Sequence, residues 1–433
     1  MFDKQTFINK KILIYGLGIS GKSCLQFLNN NNKVVLFDDN NYLKTKKYKG
    51  LFLSLIEIYK NKFDYIVLSP GIDINNCKLK NYLLKNKKNI ITELDIFYLT
   101  YPKNTKITIT GTNGKSTTCQ MLFNIFNSNK FDTRLVGNIG NSPLLEKKIR
   151  KKTIFIIEAS SYQISYSKYF KTDHAAILNL SPDHLERHGN IIKYARAKLK
   201  LISDQDNNTQ SYIAKNDFII NKQLKNKFIQ SKINKLIYNK EKFFTKKIKN
   251  VYLLDKNNIN NMHFVYFICK KFKIADHRIF SSLNKFKGLK FRKQIIYNKN
   301  NLQIINDSKS TSFSSTKGLL SSYRNIYWIV GGMFKKGDKF NLDRKYYQNI
   351  KAYIIGKNKN YFIKQFKNKI KFKYFGNLKK VISKIKLDIK NDKNMKTVLF
   401  SPAAASFDQF KSFEERGEYF NNIVQEIIVK KYD

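Results

Sequence analysis

Residues 106–118 read KITITGTNGKSTT, and this stretch decides the fold of the chain. The run at 106–110 is rich in the β-branched residues that favour a strand. Gly111 and Gly114 then let the backbone turn so that its N–H groups face one point, and a following helix adds its positive N-terminal end. We therefore predict a loop between a strand and a helix that binds the phosphates of a nucleotide.

Two side chains of this loop carry the phosphate chemistry. Lys115 is placed to reach the terminal phosphates as a point charge, and the Ser116 hydroxyl is placed to bind the accompanying Mg²⁺. The general motif has a glycine where Ile109 stands here, so the match is to a variant form. The alternative is an ordinary glycine turn before a helix, against which the preceding strand and the second glycine argue. The predicted nucleotide-binding residues are Gly111, Thr112, Asn113, Gly114, Lys115, Ser116 and Thr117.

The composition is that of a folded and very basic protein. The 433 residues are 42% hydrophobic, which suits a globular chain of about two to four domains. There are 82 basic and 31 acidic residues, which gives a net charge of +51. The lysines are scattered among Asn, Ile, Phe and Tyr, which indicates a compositional bias more than a dedicated nucleic-acid surface. A nucleic-acid-stimulated ATPase is kept as an alternative, because such a charge attracts polyanions.

The cysteines and the N-terminal sequence bear on the compartment. Cys24, Cys77, Cys119 and Cys269 lie far apart and form no C-x-x-C pair, so neither a disulfide framework nor a zinc site is expected. The chain starts MFDKQTFINKK, without an apolar leader segment, and no apolar run is long enough to span a bilayer. We expect a cytoplasmic enzyme with no membrane partner.

Upstream of the phosphate loop, the sequence KILIYGLGISGKS at 11–23 predicts a strand, a glycine-rich turn and a helix. Its glycines have the G-x-G-x-x-G spacing, and a second strand at 33–37 ends at Asp38, where a dinucleotide-binding fold has its ribose-binding acid. Alone, this pattern indicates NAD. Since the chain has a second nucleotide site and no sign of a hydride-transfer partner, the alternative is that this domain binds a different diphosphate.

Two further strands are predicted downstream, at 153–157 and 175–180. The first ends at Glu158, and the second is followed by a PDH sequence that contains His184. Parallel sheets bind ligands beyond the carboxyl ends of their strands, so Ser116, Glu158 and His184 are expected to lie on one catalytic rim. Alone, such a glutamate is more often a solvated charge and such a histidine an ordinary loop residue. Their matching positions around one phosphate loop favour a functional role.

The segment 190–202, NIIKYARAKLKLI, predicts an amphipathic helix. Its apolar residues share one arc of the helical wheel, and most of its basic residues lie opposite. Lys198 is the exception, because it projects into the apolar arc, where a free ammonium group is costly to bury. Either the stem is buried while the amine reaches water, or the amine faces the catalytic rim and is modified or paired there.

The remaining sequence predicts another helix and a third α/β region. Asn257, Asn258 and Asn261 precede an apolar helix at 264–272, where they would cap the helix or, for Asn261, contact a nucleotide base. From about Leu289 onward, strands alternate with helices in a further small sheet whose loops again carry polar groups. These strands are predicted at 302–305, 326–330, 353–355 and 397–400.

Six blocks of the sequence together resemble the Mur ligase family. They are TGTNGKST at 110–117, EASSYQ at 158–163, PDH at 182–184, YARAKLK at 194–200, INDSKST at 305–311 and SPAAASFDQFKSFEERG at 401–417. The last two blocks are most similar to the member of the family that adds D-glutamate.

The resemblance implies an α/β fold of three domains. Residues 1–95 would form an N-terminal Rossmann-like domain that holds a UDP substrate. Residues 96–288 would form a central P-loop-type ATPase domain with a mainly parallel sheet. Residues 289–433 would form a C-terminal Rossmann-like domain that receives the amino acid.

The activity implied by the resemblance is an ATP-dependent ligase of peptidoglycan precursor synthesis. Such an enzyme joins D-glutamate to UDP-N-acetylmuramoyl-L-alanine through an acyl phosphate and releases ADP and phosphate. The chemistry suits the residues, since phosphoryl transfer requires positioning and charge neutralisation. We expect a monomer that acts on these small molecules and has no specific nucleic-acid partner. A sibling ligase that adds a different residue, or a folylpolyglutamate synthase, is the second interpretation.

The resemblance also implies two magnesium sites. Ser116 and Glu158 match the ligands of the Mg²⁺ on ATP, and His184 with Lys198 matches those of a second Mg²⁺. In the family this lysine carries a carbamate, which would turn the misplaced cation of the helix into an anion. The expected catalytic residues are thus Lys115, His184 and Lys198, and the expected cofactors are ATP, two Mg²⁺ and the carbamate.

Further binding residues follow from the same resemblance. Asn261 and Arg292 match contacts to the base and phosphates of ATP, and Asp307 matches a ribose contact. The UDP-sugar contacts are expected at Ile19, Ser20, Asp38, Gly71 and Asn138. The D-glutamate contacts are expected at Lys309, Thr311, Lys335, Ser406 and Phe413.

Three places depart from the family pattern. Asn40 stands where an arginine often grips the uridine side, and Asn257 stands where a histidine is usual. Met333 and Phe334 occupy a loop that commonly carries an aspartate.

Overall fold

The computed structural model describes residues 7–40, 48, 50–206, 209–215, 217–223, 235–237, 241–254, 256–335, 337–390, 392 and 394–429. The chain divides into two compact units, Met1–Phe286 and Lys287–Asp433. Within the described residues, the first unit holds two sheets and the second unit holds one. The predicted fold class, α/β with mainly parallel sheets, is confirmed. Separate domains at 1–95 and 96–288 within the first unit stay a prediction.

The first sheet contains four parallel strands. They are β1 (Lys11–Tyr15), β2 (Lys33–Phe37), β3 (Tyr65–Leu68) and β4 (Ile90–Ile91), in the order β2-β1-β3-β4. β1 runs into the glycine-rich turn, where a Cβ at Gly21 would lie 1.9 Å from the carbonyl oxygen of Gly16. Only glycine allows this approach, which brings the next helix against the end of β1.

The second sheet carries the phosphate loop. Its strands are β5 (Lys106–Thr110), β6 (Thr133–Gly137), β7 (Ile154–Glu158), β8 (His174–Ile177), β9 (Gln210–Ala214) and β10 (Lys235–Ile237), all parallel and in the order β10-β9-β8-β5-β7-β6. β5 and β7 are buried throughout. Their carboxyl ends lie side by side, since Ile109 is paired with Glu158. The sheet therefore presents the loop after β5 and Glu158 at one edge.

The two sheets of the first unit share an apolar core. Ile14 and Leu36 of the first sheet belong to the same buried cluster as Phe155 and Ile177 of the second. Phe97 belongs to helix Glu93–Thr100, which follows the strands of the first sheet along the chain and precedes those of the second. It lies fully buried in this cluster. Because side chains of both sheets pack in one core, the carboxyl ends of the two sheets have a fixed relation.

The second unit contains a six-stranded sheet. Its strands are β11 (Gln294–Lys299), β12 (Leu302–Asn306), β13 (Ile326–Gly331), β14 (Ile350–Ile355), β15 (Lys371–Gly376) and β16 (Lys396–Phe400), in the order β11-β12-β16-β13-β14-β15. β11 pairs antiparallel with β12, and the other pairs are parallel. Apolar clusters cover the sheet, with Ile304 in one and Ile305 in the other.

The helices connect these strands. In the first unit they are Ile19–Leu28, Leu55–Lys60, Lys80–Lys85, Glu93–Thr100, Lys115–Ser128, Ser161–Tyr166, Leu185–His188, Ile191–Ser203, Phe218–Gln223, Glu241–Thr245, Lys256–Lys271 and Asp276–Asn284. In the second unit they are Phe313–Ser322, Lys359–Phe366, Leu378–Lys390 and Phe413–Ile427. Short 3-10 turns occur at Lys87–Asn89, Pro143–Leu145, Val251–Leu253 and Arg344–Asn349. Over the described residues, no helix combines the length and the apolar character needed to cross a membrane.

Several sequence predictions need correction at their boundaries; the strand predicted at 353–355, for example, begins at Ile350. The helix predicted at 264–272 begins at Lys256, so the asparagines that were expected to precede it lie inside it. Packing outweighs their weak helix propensity, since Ile259 and Met262 are fully buried. The strand predicted at 175–180 ends at Ile177. Beyond it the backbone serves the phosphate loop, because Asn179 accepts the Thr112 N–H at 3.0 Å.

Candidate active site

The phosphate loop connects β5 to helix Lys115–Ser128 through two glycines with positive φ. Gly111 has φ +151° and Gly114 has φ +84°. A Cβ at Gly114 would lie 2.4 Å from Asn261 Oδ1, so the side chain of Asn261 rests directly on the loop. Asn261 is 3% exposed. The structure therefore brings this predicted base contact to the phosphate loop, from a helix more than a hundred residues away in sequence.

Lys115 lies over the same loop. Its Nζ donates to the carbonyl oxygens of Gly111 at 2.9 Å and Thr112 at 2.8 Å. The loop backbone is tied to the strand end of β8, since Asn113 N donates to Asn179 Oδ1 at 2.8 Å. The charge of Lys115 is thus concentrated where the loop would hold phosphates.

Ser116 and Glu158 form one buried pair. The Ser116 hydroxyl donates to Glu158 Oε2 at 2.5 Å, and Glu158 Oε1 accepts from Asn138 Nδ2 at 2.9 Å. Glu158 is 1% exposed at the end of β7. A hydroxyl and a carboxylate at a phosphate loop form the kind of hard oxygen set that Mg²⁺ takes alongside nucleotide phosphates. Among the described residues, no group of three or more His, Cys, Asp or Glu side chains is placed to hold a metal ion.

Lys198 is buried with its amine directed at the loop. The side chain is 2% exposed, and Nζ donates to Gly111 O at 3.0 Å and to Thr110 Oγ1 at 3.3 Å. The interpretation that the amine reaches water is therefore wrong, and the alternative that it faces the rim holds. Burial, with the nearby Lys115 charge, holds the pKa of this amine well below its usual range. The centroid of the Tyr194 ring lies 4.8 Å from the Nζ of Lys198.

His184 occupies the loop after β8. It is a non-glycine residue with φ +54°, and it precedes the short helix Leu185–His188. Its Nε2 lies 3.3 Å from Asp183 Oδ2, and its Nδ1 lies 3.6 Å from Glu186 Oε1. The half-exposed imidazole is thus held between two carboxylates beside the cavity described next.

One cavity of about 700 Å³ connects both sheets of the first unit. Lys115, Asn138, His184 and Lys198 line it from the second sheet. From the first sheet it is lined by Gly16, Gly18, Ile19, Ser20, Asp38, Asp39, Asn40, Ser69, Pro70, Gly71 and Ile72. All five residues expected to contact the UDP sugar therefore share a cavity with the phosphate-loop lysine.

Asp38 also shapes the glycine-rich turn. Its Oδ2 accepts the Leu17 N–H at 2.6 Å, and its Oδ1 accepts the Asn40 N–H at 2.9 Å. Asp38 is 8% exposed, whereas Ile19 is 86% exposed at the cavity mouth. The aspartate thus fixes the turn that displays Ile19 and Ser20.

Several predicted residues of the second unit lie on the loops after its parallel strands, and Phe413 begins the last helix. Asp307 follows β12 and accepts from Ser401 Oγ at 2.8 Å, while burial raises the pKa of its carboxyl to about 6. Lys309 lies on the same loop, with its Nζ 3.8 Å from the centroid of the Phe413 ring. The structure therefore brings Lys309 and Phe413 together.

The other predicted residues of this unit lie on neighbouring loops. Lys335 follows β13 and Ser406 follows β16, and these loops are joined by mutual hydrogen bonds between Met333 and Ala405 at 2.9 and 2.8 Å. Ser406 is buried. Thr311 lies just before helix Phe313–Ser322, and Arg292 lies before β11, where its N–H donates to Leu289 O at 3.2 Å.

Sequence reasoning missed several residues of the cavity in the first unit. Tyr162 and Tyr194 line it, and Arg187 contacts two of its walls. Each lies within a block that sequence reasoning had singled out or a few residues from one, but no spacing rule marks a tyrosine or an arginine for such a position. Only the folded arrangement shows what they contact.

Comparison with known proteins gives one consistent family. Residues 109–278 match the model of the Mur ligase middle domain. The chain is 32% identical to the UDP-N-acetylmuramoylalanine–D-glutamate ligase of Rickettsia felis, covering 95% of this chain and 96% of that protein. The ligases of the same name from Rickettsia prowazekii and Francisella tularensis are 33% and 32% identical, over 96% of this chain and 98% and 96% of theirs.

Solved structures show the same fold. The UDP-N-acetylmuramate–alanine ligase MurC of Thermotoga maritima aligns with a TM-score of 0.57 at 15% identity, over 96% of this chain and all of that chain. The MurF ligase of the same organism, solved in complex with ADP, aligns with a TM-score of 0.56 at 14% identity, over 100% of this chain and 98% of that chain.

Proposed function

The chain belongs to the Mur ligase family, among the UDP-N-acetylmuramoylalanine–D-glutamate ligases, and we propose that it joins D-glutamate to UDP-N-acetylmuramoyl-L-alanine in peptidoglycan synthesis, at the expense of ATP. One observation of the structure supports this most: the phosphate loop and the glycine-rich turn open into one cavity. A nucleoside triphosphate and a UDP-linked acceptor can therefore approach each other in this cavity.

The reaction follows from the weak electrophilicity of a carboxylate. An oxygen of the L-alanine carboxylate attacks the γ-phosphorus of ATP, the bond to the bridging oxygen breaks, and ADP leaves. The amine of D-glutamate then attacks the carbonyl carbon of the acyl phosphate, loses a proton, and displaces inorganic phosphate. Both steps depend on alignment and on neutralising phosphate charge. Lys115 would neutralise phosphate charge, because its amine lies over the loop.

We propose that Ser116 with Glu158, and His184 with Lys198, would hold two Mg²⁺ ions. The residues present suit this, since the Ser116 and Glu158 oxygens already converge and Asn138 fixes the second carboxylate oxygen. Bound Mg²⁺ would neutralise charge on the transferring phosphoryl group. His184 and Lys198 lie in the wall of the same cavity.

A carbamate on Lys198 is part of the proposal. The side chain is 2% exposed and its nitrogen reaches the carbonyl of Gly111, so an unmodified ammonium there would be held at a high desolvation cost. A carbamate gives this position the negative charge that a metal site requires. The lowered pKa of Lys198 favours the neutral amine, which is the form that reacts with CO₂, and the nearby positive charge of Lys115 would stabilise the resulting anion.

The remaining assignments divide between the two units. Asn261, which rests on Gly114 of the phosphate loop, is proposed as a contact to the base of ATP, and Arg292 and Asp307 are proposed as further ATP contacts. The UDP sugar would bind at Ile19, Ser20, Asp38, Gly71 and Asn138. D-Glutamate would bind at Lys309, Thr311, Lys335, Ser406 and Phe413. Its carboxylates suit the lysines and hydroxyls of this set. We further propose that the enzyme acts as a monomer in the cytoplasm, where its nucleotide substrates occur.

A panel of amino acids tests the function. Purified protein is incubated with ATP, Mg²⁺ and UDP-N-acetylmuramoyl-L-alanine, and phosphate release is followed with each amino acid in turn. We expect release with D-glutamate and only background release with L-glutamate or with no amino acid. Preferred use of another amino acid would instead make the chain a sibling ligase, and use of a folate acceptor would make it a folylpolyglutamate synthase.

A further inference from the structure

Arg187 is a charged residue of the first unit for which the proposed function has no role. It belongs to the helix Leu185–His188, three residues after His184. Its Nη1 donates to Gly71 O at 3.1 Å, and its Nη2 donates to the next carbonyl, that of Ile72. One planar group thus holds two consecutive carbonyls of the loop that follows β3.

The same guanidinium also contacts two tyrosine rings. Its Cζ is 4.4 Å from the ring centroid of Tyr162 and 5.4 Å from that of Tyr166, both on helix Ser161–Tyr166. Tyr166 extends the connection, because its hydroxyl accepts the Ile74 N–H at 3.5 Å. Arginine therefore fixes three segments at once: its own helix, the tyrosine helix and the loop of the first sheet.

The groups that Arg187 contacts are walls of the cavity. Gly71 and Ile72 line it from the first sheet, and Tyr162 and His184 line it from the second. Elsewhere the two sheets are joined by their shared apolar core. At the cavity itself, the guanidinium of Arg187 connects the Gly71–Ile72 loop of the first sheet to the helix that follows His184.

We propose that Arg187 is a positioning residue for the ligase reaction, which sets the distance between the acceptor carboxylate and the phosphate loop by tying the Gly71–Ile72 loop to the helix after His184. The inference rests on the proposed function. The proposed role requires the planar guanidinium of arginine, which can donate to two neighbouring carbonyls and stack on a ring at the same time. Lysine cannot replace it, because its ammonium group is a compact point charge that lacks this geometry. A displacement of about 1 Å in a reacting pair can lower the rate roughly 100-fold.

Steady-state kinetics of Arg187→Ala and Arg187→Lys test the proposal. We expect kcat to fall about 100-fold in both variants, while KM for UDP-N-acetylmuramoyl-L-alanine changes much less, because Ile19 and Ser20 stay on the first sheet. ADP binding should stay close to wild type, since the phosphate loop does not depend on this contact, and Tm should fall by only about a few degrees, because two hydrogen bonds to carbonyls are lost. Added guanidinium, but not ammonium, should restore part of the activity of Arg187→Ala.

Arg196→Ala is the matched control, because this arginine is exposed on helix Ile191–Ser203 and should be replaceable without effect. Full activity of Arg187→Lys would overturn the proposal in favour of charge alone. A raised KM with unchanged kcat would make Arg187 a binding residue. A loss of ADP binding together with a large fall in Tm would make its role merely structural. Should Arg187→Ala fail to fold, Arg187→Lys carries the same test. Wild-type protein without D-glutamate-dependent turnover would instead refute the proposed function.

Discussion

At the scale of single residues, Lys198 shows how burial defines chemistry. The amine of a lysine on an apolar helix face can either reach solvent or be buried against a partner. In this structure it is buried, since it donates to the phosphate-loop carbonyl of Gly111. Sequence could place the residue on the helix face but could not decide which of the two applies, because that depends on the Thr110–Gly111 backbone lying across from it. Arg187 was not predicted at all, since no sequence pattern indicates that an arginine here contacts two backbone carbonyls and two tyrosine rings.

Replacement of Lys198 by alanine is the first prediction. We expect turnover to fall at least about 100-fold, because the variant would lose the carbamate that we propose for Lys198. Short carboxylates such as formate should restore part of the activity, since they can supply an anion in the vacated space. The measurement is phosphate release with all substrates present. Lys193→Ala, on the exposed face of the same helix, should stay fully active. Unchanged turnover of Lys198→Ala would remove the carbamate role.

His174 gives a prediction about acid stability. Burial lowers the pKa of its imidazole to about 4, and its ring stacks on Tyr212. The unfolded chain, with an imidazole pKa of about 6.5, binds more protons between these values, so stability should fall as the pH drops from about 6.5 to 4. The loss from this group is at most about 3 kcal/mol.

The variant His174→Phe keeps the ring and removes the titration. Chemical unfolding at a series of pH values should show a shallower decline than wild type across this window, whatever the absolute stability of the variant. An identical slope in both proteins would mean that the pKa of His174 is the same in the folded and unfolded states.

At the scale of elements, the phosphate loop depends on the absence of a side chain at Gly114. Gly114→Ala should weaken ATP binding severely, because its Cβ would meet the buried Asn261 amide. Gly50→Ala is the matched control: Gly50 has φ +89°, close to the +84° of Gly114, but a Cβ there meets nothing within 4 Å. Both variants bear a left-handed backbone cost of about 1 kcal/mol.

Calorimetric titration with ATP separates the two effects. We expect Gly50→Ala to bind like wild type while Gly114→Ala loses binding. Equal binding by both would show that Asn261 moves aside easily and does not shape the nucleotide site.

The elements themselves were largely readable from sequence. The strand predicted at 33–37 has its observed bounds, and the strand predicted at the start of 11–23 is observed at Lys11–Tyr15, because both are short apolar runs bounded by turn-forming residues. Helix Ile191–Ser203 was predicted to within a residue, since Asn190 caps it through the Lys193 N–H. The early start of helix Lys256–Lys271 was not predicted, because the packing of Ile259 and Met262 is a tertiary effect.

At the scale of the whole molecule, the charge of +51 is separate from the site. Two lysines and three aspartates line the cavity of the first unit, so the excess positive charge lies outside it. This distribution favours an enzyme with a biased surface over an ATPase stimulated by nucleic acid, which would need its basic groups near the nucleotide.

The charge should still affect stability. We expect Tm to rise when sodium chloride is added from low ionic strength, because screening over about 10 Å at 0.1 M weakens the repulsion between lysines. Differential scanning calorimetry at several chloride concentrations measures this. A Tm that falls with salt would mean that ion pairs contribute more than repulsion costs.

The central claim is that the γ-phosphoryl group of ATP and the acceptor carboxylate meet in the cavity of the first unit. The chemical step of this claim, attack of the carboxylate on the γ-phosphorus, can be tested with UDP-N-acetylmuramoyl-L-alanine whose alanine carboxylate carries a heavy isotope at both oxygens. After turnover with ATP and D-glutamate, mass spectrometry of the released phosphate should find one labelled oxygen per phosphate, carried over from the acyl phosphate. Unlabelled phosphate, with turnover otherwise normal, would contradict the account.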